Sequence, residues 1–169
     1  MNKLITLNEI RSLNPCKLGW KTTLDNFGVS SSNDNKFDLI ELIDTVGIED
    51  AYYALSCVEY EILAPFLVEF GKDMLSVYNG DKEEAQSLLN LTQKYIENLE
   101  TKEKLLQTSM SSKKGLYSLI CNPNDNLYKI SRFAVGEHMK SGNDIKTSEK
   151  KVKEKLESAY RKVFKIEDK

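Results

Sequence analysis

Residues 145–166 read IKTSEKKVKEKLESAYRKVFKI. Val152, Leu156, Ala159, Val163 and Ile166 recur at alternating spacings of four and three, the narrow seam of a helix packed nearly antiparallel or in a coiled coil. Lys and Glu dominate the remaining positions, so one side is built for burial and the rest for water. This predicts a long C-terminal helix beginning near Thr147. The same period recurs upstream, and no strand-like alternation runs for more than a few residues.

Working back from that seam, Leu127, Ile130, Phe133, Ala134 and His138 share a helical stripe that Ser141-Gly142-Asn143 ends, and Cys121-Asn122-Pro123-Asn124 is a turn. Thr101 predicts the cap of a helix carrying Leu105, Leu106, Met110, Leu116, Tyr117 and Ile120, with Gly115 as its weak point. Asp81-x-x-Glu84 is a capping signature, and it opens a stripe of Ala85, Leu88, Leu89, Thr92, Tyr95, Ile96 and Leu99. Between Glu49 and Tyr78 the apolar face shifts near Glu59–Glu61. A helix break belongs there, with Pro65 in the first turn of the second piece, where its missing amide costs little. The segment FDLIELIDTVG (37–47) is an apolar helix with Gly47 as its left-handed cap. Nearer the N-terminus, Thr6-x-x-Glu9 predicts a capping box and a helix to about Leu13, which Pro15 ends. A turn and a short helix follow, placing Trp20, Leu24 and Phe27 on one face before Gly28 and a polar loop over 29–36. The expected fold is all-α: a single-domain bundle of about seven or eight helices over 1–169. It comprises an N-terminal latch (1–28), an acidic helical core (37–121) and basic C-terminal helices (125–169).

At 169 residues, with 40% hydrophobic and 30% charged side chains, 8 Gly and 3 Pro, the chain has enough apolar material for a core without metals or disulfides. That balance excludes collagen, low-complexity disorder and a membrane span. The formal charge of −2 hides a gradient. Residues 1–33 carry +2, residues 34–103 carry −11 and residues 104–169 carry +7. Such a gradient can draw two parts of one fold together, order subunits in an oligomer, or meet a charged partner. Cys16, Cys57 and Cys121 are odd in number and far apart, unlike a secreted disulfide framework. MNKLITLNEIRSL (1–13) has too short an apolar run for a secretory signal. A cytoplasmic setting with reduced thiols is the expectation.

The residues argue against several chemistries. His138 is the only histidine, no G-x-S-x-G elbow accompanies it, and a packed helix-face histidine is the simpler reading than a catalytic base. Cys16, Cys57, Cys121 and His138 contain no close ligand pair of the kind structural zinc uses. One histidine cannot furnish the paired Glu-x-x-His of a di-metal bundle. Gly19, Gly28, Gly47 and Gly71 are isolated, so no phosphate loop is present. Neither a catalytic residue, a metal nor a cofactor is expected.

Asn14-Pro15-Cys16-x-x-Gly19-Trp20, followed by Leu24, and Asp50-Ala51-x-x-Ala54-Leu55-x-x-Val58 are together similar to motifs of small all-helical bacterial and phage proteins of the hypothetical or immunity type. The resemblance spans about residues 6–78, while the C-terminal third departs from the Ala- and Trp-rich tail of that group. It transfers no catalytic residue; it implies a phage or mobile-element protein that works by binding another macromolecule. Physically, Cys16, Gly19 and Trp20 suit a structural latch, since Gly19 lets the backbone pass closely and Trp20 can bury a large ring, whose truncation costs about 3–5 kcal/mol.

The expected function is therefore non-enzymatic binding: an inhibitor or neutraliser of a host or defence protein, acting through charged helix faces. The candidate acidic face is Asp50, Glu59, Glu61, Glu69 and Asp73; the candidate basic face is Lys150, Lys151, Lys153 and Lys155. The alternative is a nucleic-acid-binding accessory protein using the basic C-terminal helices, although interleaved Glu149, Glu154 and Glu157 dilute that stripe. The seam Val152, Leu156, Ala159, Val163 and Ile166 can dock on its own domain or pair two copies as a homodimer.

Overall fold

The computed structural model describes residues 4–12, 14–15, 17–47, 51, 59–113, 115–125 and 127–164. Among them are nine helices and one two-residue strand pair, so the chain is all-α, as the periodicity requires. The helices are α1 (Leu7–Ser12), α2 (Lys17–Asn26), α3 (Leu39–Val46), α4 (Tyr60–Met74), α5 (Lys82–Ile96), α6 (Lys102–Ser111), α7 (Leu116–Ile120), α8 (Leu127–Lys140) and α9 (Ile145–Phe164). The count exceeds the expected seven or eight because, for one, the segment after Thr101 is two helices. Ser112, in extended backbone, closes α6, and Gly115 opens α7. The fold divides into two units, Met1–Val58 and Glu59–Lys169. The division falls inside the stretch read from sequence as one acidic core.

In the first unit the capping box forms as expected. Glu9 N–H donates to Thr6 Oγ1 at 3.1 Å, and Thr6 N–H donates back to Glu9 Oε2 at 2.8 Å. Asn14, with φ 52°, turns the chain out of α1 ahead of Pro15. Strand β1 (Ile5–Thr6) pairs antiparallel with β2 (Lys36–Phe37), Ile5 opposite Phe37. Two residues carry no readable alternation, which is why the pattern predicts none here. Trp20 and Thr23 are the buried residues of α2, and the Arg11 guanidinium lies 5.3 Å from the Trp20 ring centroid. Leu24 and Phe27 are half-buried, and Phe27 stacks on Phe37 with ring centroids 4.7 Å apart. Asp38 caps α3 through Glu41 N–H at 3.0 Å. Gly47 follows with φ 82° and ψ 163°, a positive φ as expected, but with ψ outside the left-handed helical well. Cys16, Cys57, Asp50 and the 52–58 half of the second motif lie outside the described residues.

In the second unit α4 is the hub, packed by α5, α7 and α9. It buries Tyr60, Ala64, Phe66, Leu67, Val68, Phe70, Gly71 and Met74, a little over half of its circumference. Near the expected break Glu59 is non-helical and α4 starts at Tyr60; the stretch before it, 52–58, lies outside the described residues. Pro65, expected in the first turn, instead sits inside the helix, because the buried Tyr60 draws the start upstream by donating its hydroxyl to Ile120 O at 2.8 Å. Where α4 meets α5, Gly71 leaves room for the Leu89 side chain against the α4 backbone. A Cβ on Gly71 would stand 2.6 Å from Leu89 Cδ2, and Tyr117 O–H donates to the Gly71 carbonyl at 2.8 Å. Asp81 Oδ1 accepts from Glu83 and Glu84 N–H, both at 3.0 Å. Leu99 falls beyond the end of α5 and is exposed, and Met110 and Phe133 face outward from α6 and α8. The stripe expectation fails for these three, because the buried residues of α6 are Leu105 and Ser109, and those of α8 run through Leu127, Ile130, Ala134 and His138.

Candidate partner-binding face

The charge gradient resolves first inside the second unit. Acidic α4 and basic α9 pack together. Glu69 accepts from Lys72 at 2.6 Å and from Lys162 of α9. Partial burial alone would raise the Glu69 pKa, but these two ammonium groups outweigh it and hold the carboxyl below its ordinary value. Lys155 Nζ donates to the Asp73 carbonyl at 2.6 Å. Glu61 receives Tyr95 O–H at 2.7 Å and Lys102 Nζ at 3.0 Å, and these bonds, the tyrosine's first, lower its pKa to about 2. Of the five acidic candidates, then, Glu61 and Glu69 are engaged by their own unit, the Asp73 backbone holds a lysine, Glu59 is exposed at the head of α4, and Asp50 lies outside the described residues.

The basic candidates also separate. Lys150 and Lys151 point outward, while Lys153 and Lys155 are half-buried. Lys153 pairs with Glu157 at 3.5 Å and Lys150 loosely with Glu154 at 3.9 Å. Lys151 Nζ donates to Asn143 Oδ1 at 2.7 Å. The seam docks on its own unit: Val152, Leu156, Ala159 and Tyr160 are buried, and Tyr160 meets Phe66 of α4 edge to face, centroids 6.1 Å apart. Val163 is half-buried and Ile166 lies outside the described residues.

What stays exposed is the surface along the line where α8 meets α9. On α8, Tyr128, Arg132 and Met139 stand at i, i+4 and i+11, one side of a helix. Tyr128 is 46% exposed and Met139 44%; Phe133, 41% exposed, lies about 100° further round the helix than Arg132. On α9, Ile145 is 46% exposed, and Glu149, one turn on, reaches Arg132 at 3.8 Å. Around these apolar groups stand Lys129, Lys140, Lys146 and Lys150, all exposed. The α9 end is fixed by Asp144, which accepts Thr147 N–H at 3.0 Å. The sequence reading missed this face for a simple reason. A helix with an apolar stripe shows in its periodicity, but Tyr128 and Met139 lie beside the stripe and add no period of their own.

His138 is buried on the inner side of α8, and Cys121 is a buried, packed thiol whose pKa burial pushes up to about 12. Thr92 Oγ1 lies 3.0 Å from its sulfur. Among the described residues no group of three or more His, Cys, Asp or Glu is placed to hold a metal ion, and no helix is long and apolar enough to cross a membrane. Trp20, the latch ring, is buried in the first unit, and the Gly19 carbonyl accepts Thr23 O–H at 3.0 Å. No family model, no curated protein and no solved structure matches this chain.

Proposed function

We propose that the chain is a non-enzymatic binding protein whose α8–α9 face docks an acidic protein surface, acting as an inhibitor or neutraliser. The observation that carries this reading is the exposure of Tyr128, Phe133, Met139 and Ile145 on helices that also present Lys129, Arg132, Lys140, Lys146 and Lys150 to solvent, with Asp144, Glu149 and Glu154 interleaved. Aromatic residues, Met and Arg are enriched in the cores of protein interfaces, and a lysine rim favours an acidic counterpart and speeds its approach. Nucleic acid is the second reading. It is favoured by the outward Lys146, Lys150 and Lys151 but diluted by Glu149 and Glu154, and phosphate has no use for four exposed apolar side chains. The similarity of residues 6–78 to phage and bacterial immunity-type proteins supports a mobile-element setting, cytoplasmic, with a host or defence protein as target.

The test is affinity capture by the full chain at about 0.15 M salt, where the Debye length is ~8 Å, after nuclease treatment. Capture of a protein that is lost on combining Tyr128→Ser, Met139→Ser and Ile145→Ser supports the reading. Capture unchanged by that triple substitution overturns it. Affinity for duplex oligonucleotide that falls steeply with salt, and is abolished by charge reversal at Lys146 and Lys150, moves the assignment to nucleic acid.

A further inference from the structure

His138, the chain's only histidine, lies in the last turn of α8 at 2% exposure, and neither Nδ1 nor Nε2 has a hydrogen-bond partner. A neutral imidazole carries one donor and one acceptor, and burying both unmatched is unfavourable enough to need a reason. The charges that act on the ring share its sign once it is protonated: Lys155 and Lys151, both from α9. Each is held in place. Lys151 bonds Asn143, whose Nδ2 donates to His138 O at 2.9 Å, and Lys155 bonds the Asp73 carbonyl of α4.

The carboxylates nearby are committed elsewhere. Glu137, next along α8, accepts Asn79 N–H at 3.0 Å and Lys140 Nζ at 2.7 Å. Asp144 serves Thr147, and Glu149 pairs with Arg132 on the outer side. From α7, which also packs on α8, the titratable group is Tyr117, whose hydroxyl donates to Gly71 O, and from the turn that bonds Glu137 it is Tyr78; burial raises the pKa of both.

We propose that His138 is an acid-sensitive latch: a proton taken up by its ring loosens the corner where α8 turns into α9, and with it the face those helices share. The inference stands on the buried, unmatched ring and holds whatever the partner proves to be. Burial first, then Lys155 and Lys151, hold the imidazole below its ordinary 6.5. The folded chain thus keeps the ring neutral while the opened chain protonates near 6.5. Stability from this site is complete above pH 6.5 and is lost as pH falls towards the folded-state value, by up to about tenfold in the opening equilibrium per pH unit. Glu69 and Glu137 are held below 4.5, which separates their transition from this one.

Amide hydrogen exchange on the full chain between pH 7.5 and 5.0, corrected for intrinsic rates, reads the latch directly. Opening of the amides over 138–152 rises below pH 6.5, more than at the α5 amides, and His138→Met removes the rise. Lys151→Met, which keeps the histidine but takes away one like charge, weakens it. A flat wild-type profile between pH 6.5 and 5.0 overturns the proposal, as does the same rise in His138→Met. Should His138→Met not fold, an acid response unchanged in Lys151→Met overturns it equally.

Discussion

Gly71 and Gly136 both lie inside helices, α4 and α8, and alanine acts on them in opposite directions. At Gly136 a new Cβ meets nothing within 4 Å, so Gly136→Ala restricts the unfolded chain at no cost in contacts and raises stability by about 0.5–1 kcal/mol. At Gly71 the same atom lands 2.6 Å from Leu89 Cδ2 and 3.3 Å from Ile120 Cδ1, and overpacking there lowers stability by about 1–3 kcal/mol. Denaturant midpoints of the two variants check both signs. Glu61 supplies a third prediction at this scale. With its pKa lowered to about 2 from 4.5, it stabilises the fold above pH 4.5, and that contribution is lost as pH falls from 4.5 towards 2. Glu61→Gln is therefore less stable than the wild type at pH 7 and converges with it near pH 2, measured by urea unfolding across that range.

Helix starts were the most legible elements, because a cap is a local bargain between a side-chain oxygen and amides two or three residues ahead. Thr6, Asp81 and Thr101 each accept the bonds their spacing announces. Asp81 serves two amides at once, so Asp81→Ala costs about 1 kcal/mol and frays the first turn of α5, measurable as faster exchange at Glu83 and Glu84. Helix interiors were less legible. Pro65 argued for a later start to α4, yet burial of Tyr60 and its bond to Ile120 outweigh the lost amide. Phe133 fitted the α8 stripe by hydrophobicity, but the inward positions go to Leu127, Ile130, Ala134 and Val135 together with the polar Ser131, Glu137 and His138. Which of several adjacent apolar residues turns inward depends on the neighbouring helix, and that neighbour is distant in sequence.

Across the molecule, the acidic middle and basic tail meet as α4 and α9 of one unit, with Glu69 and Lys162 bridging them. The seam of α9 supplies Val152, Leu156, Ala159 and Tyr160 to that unit's core. Ending the chain after Asn143 therefore unfolds the second unit instead of releasing a well-folded monomer; circular dichroism loses more helix than α9 itself contains, and light scattering shows association through the uncovered α4. The exposed α8–α9 face is also a property of this scale. Tyr128, Arg132 and Met139 share a side of α8 by helical period, but Ile145 and Glu149 of α9 join them only because α8 and α9 pack side by side.

Helicity, the starts of most helices and the single apolar seam of α9 are legible in the residues alone, because they depend on spacings within a few positions. What the seam packs against, which charges are already engaged, and the sealing of the lone histidine without a hydrogen-bond partner are fixed by packing. Those outcomes rest on contacts between segments some tens of residues apart, whose geometry is set by how close two helices approach, as at Gly71, and not by any local period.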